Sequence, residues 1–270
     1  QLFRQRRHRM VLALDIGNTE ITLGLFDGDE LERSWRLTTR PDQTPDEWAV
    51  VVRALFDQAG LDITEVTATV LASVVPSATE AVADALLIAT GTTAQVIGPE
   101  TPLPVKLDVE EPHTVGADRV VNTVAAMHLF RVDVIVVDFG TATTLDCITR
   151  DGVFLGGIIA PGLRTSGENL ARRAAKLMPV ELGPPARAIG RRTEDCIRAG
   201  LVYGAADAVD GLVRRLKAEW PTRDVPKVIA TGGYAALVAK YSSEIEEVHP
   251  DLTLRGLQIA HRLLAGPAAV

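Results

Sequence analysis

The run Ile135-Val136-Val137-Asp138-Phe139-Gly140-Thr141-Ala142-Thr143-Thr144 is an apolar, β-branched stretch that stops at an Asp-x-Gly step and turns on hydroxyl-bearing residues. The same grammar stands earlier, at Val11-Leu12-Ala13-Leu14-Asp15-Ile16-Gly17-Asn18-Thr19. Each copy continues into a second strand-like segment (Ile21 to Phe26, Thr144 to Thr149). An acidic-glycine turn follows (Asp27-Gly28, Asp151-Gly152), then a third segment (Leu31 to Leu37, Val153 to Ala160). A lone Asp-x-Gly turn is a common structural hairpin. Two copies with the same downstream pattern mean two similar domains rather than a stack of short repeats.

Between the copies, helical and strand patterns alternate. Trp48, Val51, Val52, Leu55 and Phe56 recur at helical spacing after a first turn Pro45-Asp46-Glu47. Val66 to Val75 reads as a buried strand and Ser77 to Ala89 as a helix with Ser77 as its cap. Four prolines from Pro99 to Pro112 mark an extended loop, after which Gly116-Ala117-Asp118-Arg119 opens a helix. Thr193 is expected to cap a long helix, with Ile197, Leu201, Ala205, Ala208 and Leu212 as its apolar stripe. The expected fold is α/β, with two mixed-sheet domains and a cleft between them. Residues 1–9 read as a tail, 10–125 as the first domain and 126–270 as the second.

Composition narrows the function classes. The 270 residues are 47% hydrophobic and 23% charged, which suits a globular protein. A net charge of -7 argues against a nucleic-acid-binding surface, which needs a basic patch. No stretch has the length of a membrane span, and a cytoplasmic location is expected. Cys147 and Cys196 have no metal spacing and read as small buried hydrophobes in a reducing compartment. His113, His128, His249 and His261 likewise read as structural.

The motifs fit phosphate chemistry. Gly17 lets backbone N–H groups approach phosphate oxygens, Asn18 and Thr19 add neutral donors, and Asp15 can position magnesium through its waters. Asp138, Gly140 and Thr141 offer the same parts in the second copy. Walker-type and Gly-x-Gly-x-x-Gly loops are both missing. Asp118 can take the proton of an attacking hydroxyl, Arg119 can hold an anionic group of the acceptor, and Asn122, one turn on, can orient Asp118.

Taken together these motifs carry a family resemblance. Asp15-Ile16-Gly17-Asn18-Thr19, Gly116-Ala117-Asp118-Arg119, Asp138 to Thr144, Gly157-Ile158-Ile159-Ala160-Pro161-Gly162 and Ala175-Lys176-Leu177 stand in the order of the type III pantothenate kinases. The chain resembles that family from Met10 to about Leu264, and with it the actin, Hsp70 and sugar-kinase superfamily of ribonuclease-H-like domains. Thr231-Gly232-Gly233 is similar to that superfamily's adenosine-side turn. The resemblance implies ATP with magnesium, a monovalent cation such as potassium or ammonium, pantothenate as acceptor, and a homodimer with shared sites.

By the same match, Asp15, Ile16, Gly17, Asn18, Thr19, Glu20, Ile21 and Thr22 form the first phosphate loop and Thr141 touches ATP. Gly116, Ala117, Asp118 and Arg119 meet pantothenate, with Asp118 as proton acceptor, Asp138 holds the monovalent cation, and Thr193 reaches pantothenate. The chain departs from the family pattern at Glu100-Thr101-Pro102 after Gly98-Pro99, at Val109 in place of a tyrosine, and at Arg192. A non-catalytic nucleotide-binding relative and a kinase of another small hydroxy acid are the competing expectations.

Overall fold

Both Asp-x-Gly segments are central strands of mixed sheets in the computed structural model, which describes residues 10–266. In the first copy, β1 (Met10–Ile16), β2 (Glu20–Asp27) and β3 (Glu30–Thr38) form an antiparallel meander. Helix α1 (Pro45–Ala59) leads to β4 (Val66–Ser73), and α2 (Pro76–Thr90) leads to β5 (Ala94–Ile97). Both returning strands join in parallel, giving the order β3-β2-β1-β4-β5.

The chain continues through β6 (Lys106–Leu107), α3 (Ala117–Phe130), β7 (Val134–Phe139), β8 (Ala142–Ile148) and β9 (Val153–Pro161). Then come α4 (Leu163–Arg173), α5 (Thr193–Ala218), β10 (Lys227–Thr231), α6 (Ala235–Val238), β11 (Glu247–Val248) and α7 (Leu252–Ala265). The second sheet has the order β11-β10-β7-β8-β9-β6. Without β6, which adds to the outer edge of β9, this repeats the first sheet strand for strand. The duplication visible in the sequence extends to the topology.

Two compact units result: one of residues 10–104, 111–125 and 253–266, the other of 105–110 and 126–252. Where the sequence alone suggests 126–270 for the second domain, the structure returns α7 to the first. Thr253 donates to Asn122 at 2.9 Å, Gln258 donates to the carbonyl of Gly28 at 2.8 Å, and Gly256 sits against Val121 where a Cβ would not fit. The expected tail at 1–9 lies outside the described residues.

Local chemistry explains the elements. Leu12, Ala13 and Leu14 are all buried, because a central strand is covered on both faces. The β2–β3 and β8–β9 turns each use a left-handed glycine, Gly28 (φ 60°) and Gly152 (φ 77°). Helix α1 starts with a full capping box, Thr44 and Glu47 bonding each other's backbone N–H, and buries Trp48, Val52 and Phe56. Two expected caps are corrected. Helix α2 begins at Pro76 with Val75 as N-cap, because the carbonyl of Val75 already accepts from Ala78 and Thr79. In α5, Arg192 is the N-cap and Thr193 the first helical residue, since Cys196 N–H reaches back to Arg192.

The core face of α5 is Ala199, Val202, Ala206, Val209 and Val213. The expected stripe lies round its flank: Ala205 and Leu212 are half-buried beside the core and Ala208 is exposed. The helix is apolar on more than one side, so spacing alone does not choose the buried one. Cys147 is buried as expected, but Cys196 is exposed.

Two buried carboxylates pin the second unit. Asp133 accepts from Trp220 Nε1 (2.8 Å), Arg150 N–H (2.9 Å) and Thr222 Oγ1 (3.1 Å). Asp210, inside α5, accepts from Ser242 Oγ, Ser243 N–H (2.8 Å) and Ser243 Oγ (2.6 Å). Burial alone pushes both carboxyls up, but these hydrogen bonds outweigh it and hold both below the ordinary aspartate value.

Candidate active site

The turn after each central strand is built as a backbone cradle. In the first, Gly17 N–H bonds the carbonyl of Glu20 at 3.0 Å, and Ile16 pairs with Ile21. In the second, Gly140 N–H bonds the carbonyl of Ala142 at 3.0 Å, and Phe139 pairs with Thr143. The first turn is therefore one residue longer. Asn18, Thr19, Gly140 and Thr141 are exposed at the tips. Ile16 and Ile21 send their side chains into the core, so any part they play in a phosphate loop is confined to the backbone. Glu20 pairs with Arg36 at 3.3 Å.

Each turn is braced by a threonine placed after the third strand of its copy, which sequence reasoning missed. Thr39 donates its hydroxyl to Gly17 O at 2.6 Å and its N–H to Thr19 O at 3.0 Å. Thr165 donates to Thr141 O at 2.7 Å, joined by Gly162 N–H at 3.1 Å. The signal that could have found them is the repeat itself: a hydroxyl recurs just past the third strand in both copies.

Asp138, the last residue but one of β7, stands opposite Thr144 on β8 and Thr231 on β10. Gly232, at φ 89°, lies so close to Asp138 and the Phe139 backbone that a Cβ would meet Phe139 N at 2.7 Å. A side chain at position 232 would collide with the Asp138 carboxylate and the Phe139 backbone. Among the described residues no three His, Cys, Asp or Glu side chains gather as metal ligands. One carboxylate supplies only part of a cation's ligand shell, so any cation here would draw the rest from phosphate, backbone carbonyls and water.

At the start of α3, Asp118 lies in the first turn with its Oδ1 accepting from Arg119 N–H at 2.8 Å. Gly116 is packed against this carboxylate, with no room for a side chain between them. Burial pushes the Asp118 carboxyl above the ordinary aspartate value, against the opposing pull of the Arg119 N–H and guanidinium. Asn122 is buried and accepts from Thr253, so Asp118 is oriented by its neighbour's backbone rather than by Asn122.

The profile of the type III pantothenate kinases matches residues 11–215. The chain belongs to the type III pantothenate kinase family. It is 44% identical over 254 residues to the type III pantothenate kinase of Geobacter sulfurreducens, covering 93% of this chain and 98% of that one. It is 45% identical over 252 residues to that of Anaeromyxobacter sp. strain K, with the same coverage. Among solved structures, component A of the (R)-2-hydroxyglutaryl-CoA dehydratase of Acidaminococcus fermentans aligns with a TM-score of 0.54 at 15% identity, covering 93% of this chain and 96% of that one. Ethanolamine utilization protein EutJ of Carboxydothermus hydrogenoformans aligns at 0.55 and 15%, covering 92% and 88%. At such identities these structures speak for the fold alone, a chain-long mixed α/β architecture.

In this type III pantothenate kinase family member, the residues expected around ATP, the cation and pantothenate fall into two groups by unit. Asp15 to Thr22 and Gly116 to Arg119 belong to the first, Asp138, Thr141 and Thr193 to the second. Thr193 is exposed at the start of α5. Val109 packs 3.5 Å from where a Cβ on Gly156 would stand, a position Gly156 leaves open at φ 96°.

Proposed function

We propose that this protein transfers the γ-phosphoryl group of ATP to the primary hydroxyl of pantothenate, giving 4′-phosphopantothenate, the first step of coenzyme A biosynthesis. The observation that carries the reading is Asp118, a carboxylate fixed at a helix start by the Arg119 N–H, whose burial makes it a stronger base than an ordinary aspartate. In the step, the acceptor oxygen bonds to the γ-phosphorus as the bond to the β-phosphate oxygen breaks. The hydroxyl proton passes to Asp118, and ADP leaves.

The backbone N–H groups of the two glycine turns bind phosphate oxygens, and Arg119 holds the acceptor's carboxylate. Magnesium, positioned through waters by Asp15, supplies neutralisation of the phosphate charge when bound. Asp138 is the residue to hold a monovalent cation, potassium or ammonium. The protein would act in the cytoplasm as a homodimer, with Thr193 delivered to the partner's pantothenate. Support for the dimer is the outer edge of α5, where Gly200 and Gly204 are exposed and nothing lies within 4 Å of a Cβ placed on either.

Purified protein incubated with ATP, magnesium and pantothenate, with and without potassium, tests the reading by mass detection of phosphopantothenate. Nucleotide binding without product would favour a non-catalytic relative. Phosphorylation of a different hydroxy acid in place of pantothenate would move the assignment to that acceptor.

A further inference from the structure

Thr39 stands one residue past β3, only 8% exposed, and ties down two peptide units of the first phosphate turn at once. Its hydroxyl donates to the carbonyl of Gly17 at 2.6 Å, and its N–H donates to the carbonyl of Thr19 at 3.0 Å. A trans peptide is planar, so its N–H points opposite to its C=O. The N–H groups that share these two peptides belong to Asn18 and Glu20, and both are therefore directed away from Thr39. The residues that carry them are exposed.

Of the two bonds, the backbone one continues the β2–β3 ladder past the pair Glu20 and Thr38, and only the hydroxyl bond depends on the side chain. In the second turn both braces converge on one carbonyl, that of Thr141, from Gly162 N–H and Thr165 Oγ1. In the first turn, one residue longer, they are spread over two carbonyls, and the hydroxyl serves the Gly17–Asn18 peptide. Gly17 brings no side chain to hold that peptide, and a Cβ there would stand only 3.0 Å from the Glu20 carbonyl. Turned over, the peptide would offer phosphate a carbonyl in place of an N–H, a repelling dipole in place of an attracting one.

We propose that Thr39 is a positioning residue for the phosphoryl donor, its hydroxyl locking the Gly17–Asn18 peptide with the Asn18 N–H toward the phosphates. The proposal rests on the nucleotide reading above and adds a residue to it. The plain alternative is a hydroxyl that only satisfies a carbonyl of the hairpin, contributing to stability and nothing to binding.

Equilibrium binding of a non-hydrolysable ATP analogue and of base-free inorganic tripolyphosphate to the full chain, with backbone amide NMR, separates these. Thr39→Val, which keeps the branched shape and loses the hydroxyl, should weaken both ligands about tenfold or more, the size of one hydrogen bond to a charged group. Thr39→Ser, which keeps the hydroxyl, should bind both within about threefold of wild type. In wild type the Asn18 amide resonance should move on titration with tripolyphosphate, a readout that does not depend on how a variant folds. The lock is overturned if folded Thr39→Val binds either ligand like wild type, if Thr39→Ser is as weak as Thr39→Val, or if the Asn18 amide does not respond. Wild type that binds neither ligand would overturn the nucleotide reading, and the lock with it. Failure only to phosphorylate pantothenate, with the binding pattern intact, would count against the acceptor and leave the lock standing.

Discussion

Asp15 and Asp138 occupy one register in two copies of the same sheet, Asp15 opposite Thr22 on β2 and Asp138 opposite Thr144 on β8. Their parallel neighbours differ. Asp15 stands beside Ala72, whereas Asp138 stands beside Thr231, followed by Gly232 at φ 89°. The duplicated scaffold thus gives two carboxylates the same backbone and different surroundings, which is how one motif can serve two roles.

That asymmetry makes Asp138 the one to test for cation dependence. Initial rates should rise with potassium or ammonium and not with sodium at matched ionic strength, and Asp138→Ala should lose the dependence. Gly232→Ala should weaken nucleotide binding about tenfold or more, because a Cβ at positive φ collides with the β7 end. Full activity in sodium alone would remove the cation from Asp138.

Asp118→Asn should lower kcat by about 10²-fold or more while nucleotide binding survives. It should also leave the fold at least as stable at neutral pH. The folded state binds the Asp118 proton more tightly than the unfolded chain, so ionising this carboxyl costs stability as pH rises from its ordinary value through the raised one. Asparagine removes that cost. Thermal unfolding of the two proteins at pH 7 reads it, and a variant less stable than wild type would point to a structural role.

The same shift predicts the acid limb of the rate profile. A base must be unprotonated, so kcat/KM for pantothenate should fall on acidification at a pH above the ordinary aspartate range, and that limb should vanish in the residual activity of Asp118→Asn. A limb that persists unchanged in the variant would belong to another group.

Asp133 and Asp210 behave in the opposite sense. Both carboxyls are lowered in the fold, so their stabilisation is complete above the ordinary value near 3.8 and is lost as pH falls through the folded-state values. Asp210→Ala should cost about 3 kcal/mol, since it leaves the Ser242–Glu244 turn without its acceptor. Urea unfolding at pH 7 and well below the ordinary value of 3.8 checks both; a variant as stable as wild type at pH 7 would show the turn held by other contacts.

The double Asp-x-Gly meander was legible because a continuous apolar run, an acidic-glycine turn and a repeat are all local signals. The Gly116 to Arg119 motif was legible because it is contiguous. What escaped depends on distant contacts. The return of α7 rests on Thr253 meeting Asn122 and Gln258 meeting Gly28, pairs far apart in the chain. Thr39 and Thr165 act through carbonyls of turns more than twenty residues away, and no spacing rule marks such a brace. The cap of α2 was misread because Ser77 has the right chemistry, while Pro76 fixes the start by having no N–H to satisfy.

The rotation of α5 decides how its proposed role in a dimer can be tested. Sequence spacing favours Ala205 as the site for a disrupting charge, but Ala205 is half-buried against the core of its own unit, so arginine there would confuse assembly with folding. Gly204, next to it, is exposed, and nothing lies within 4 Å of a Cβ built on it. A helix edge bare of side chains admits close approach by another helix and does not tolerate a long cation there once the partner is seated. Gly204→Arg should therefore convert a micromolar dimer to monomer in sedimentation. Circular dichroism and cooperative unfolding should stay close to wild type, since exposed substitutions in helices change stability by less than about 1 kcal/mol. If Thr193 serves the partner's pantothenate, the monomer should lose activity while still binding the ATP analogue, because the second phosphate turn is intact in each chain. A folded Gly204→Arg monomer with full activity would sink the shared site and leave Thr193 as an ordinary first residue of α5.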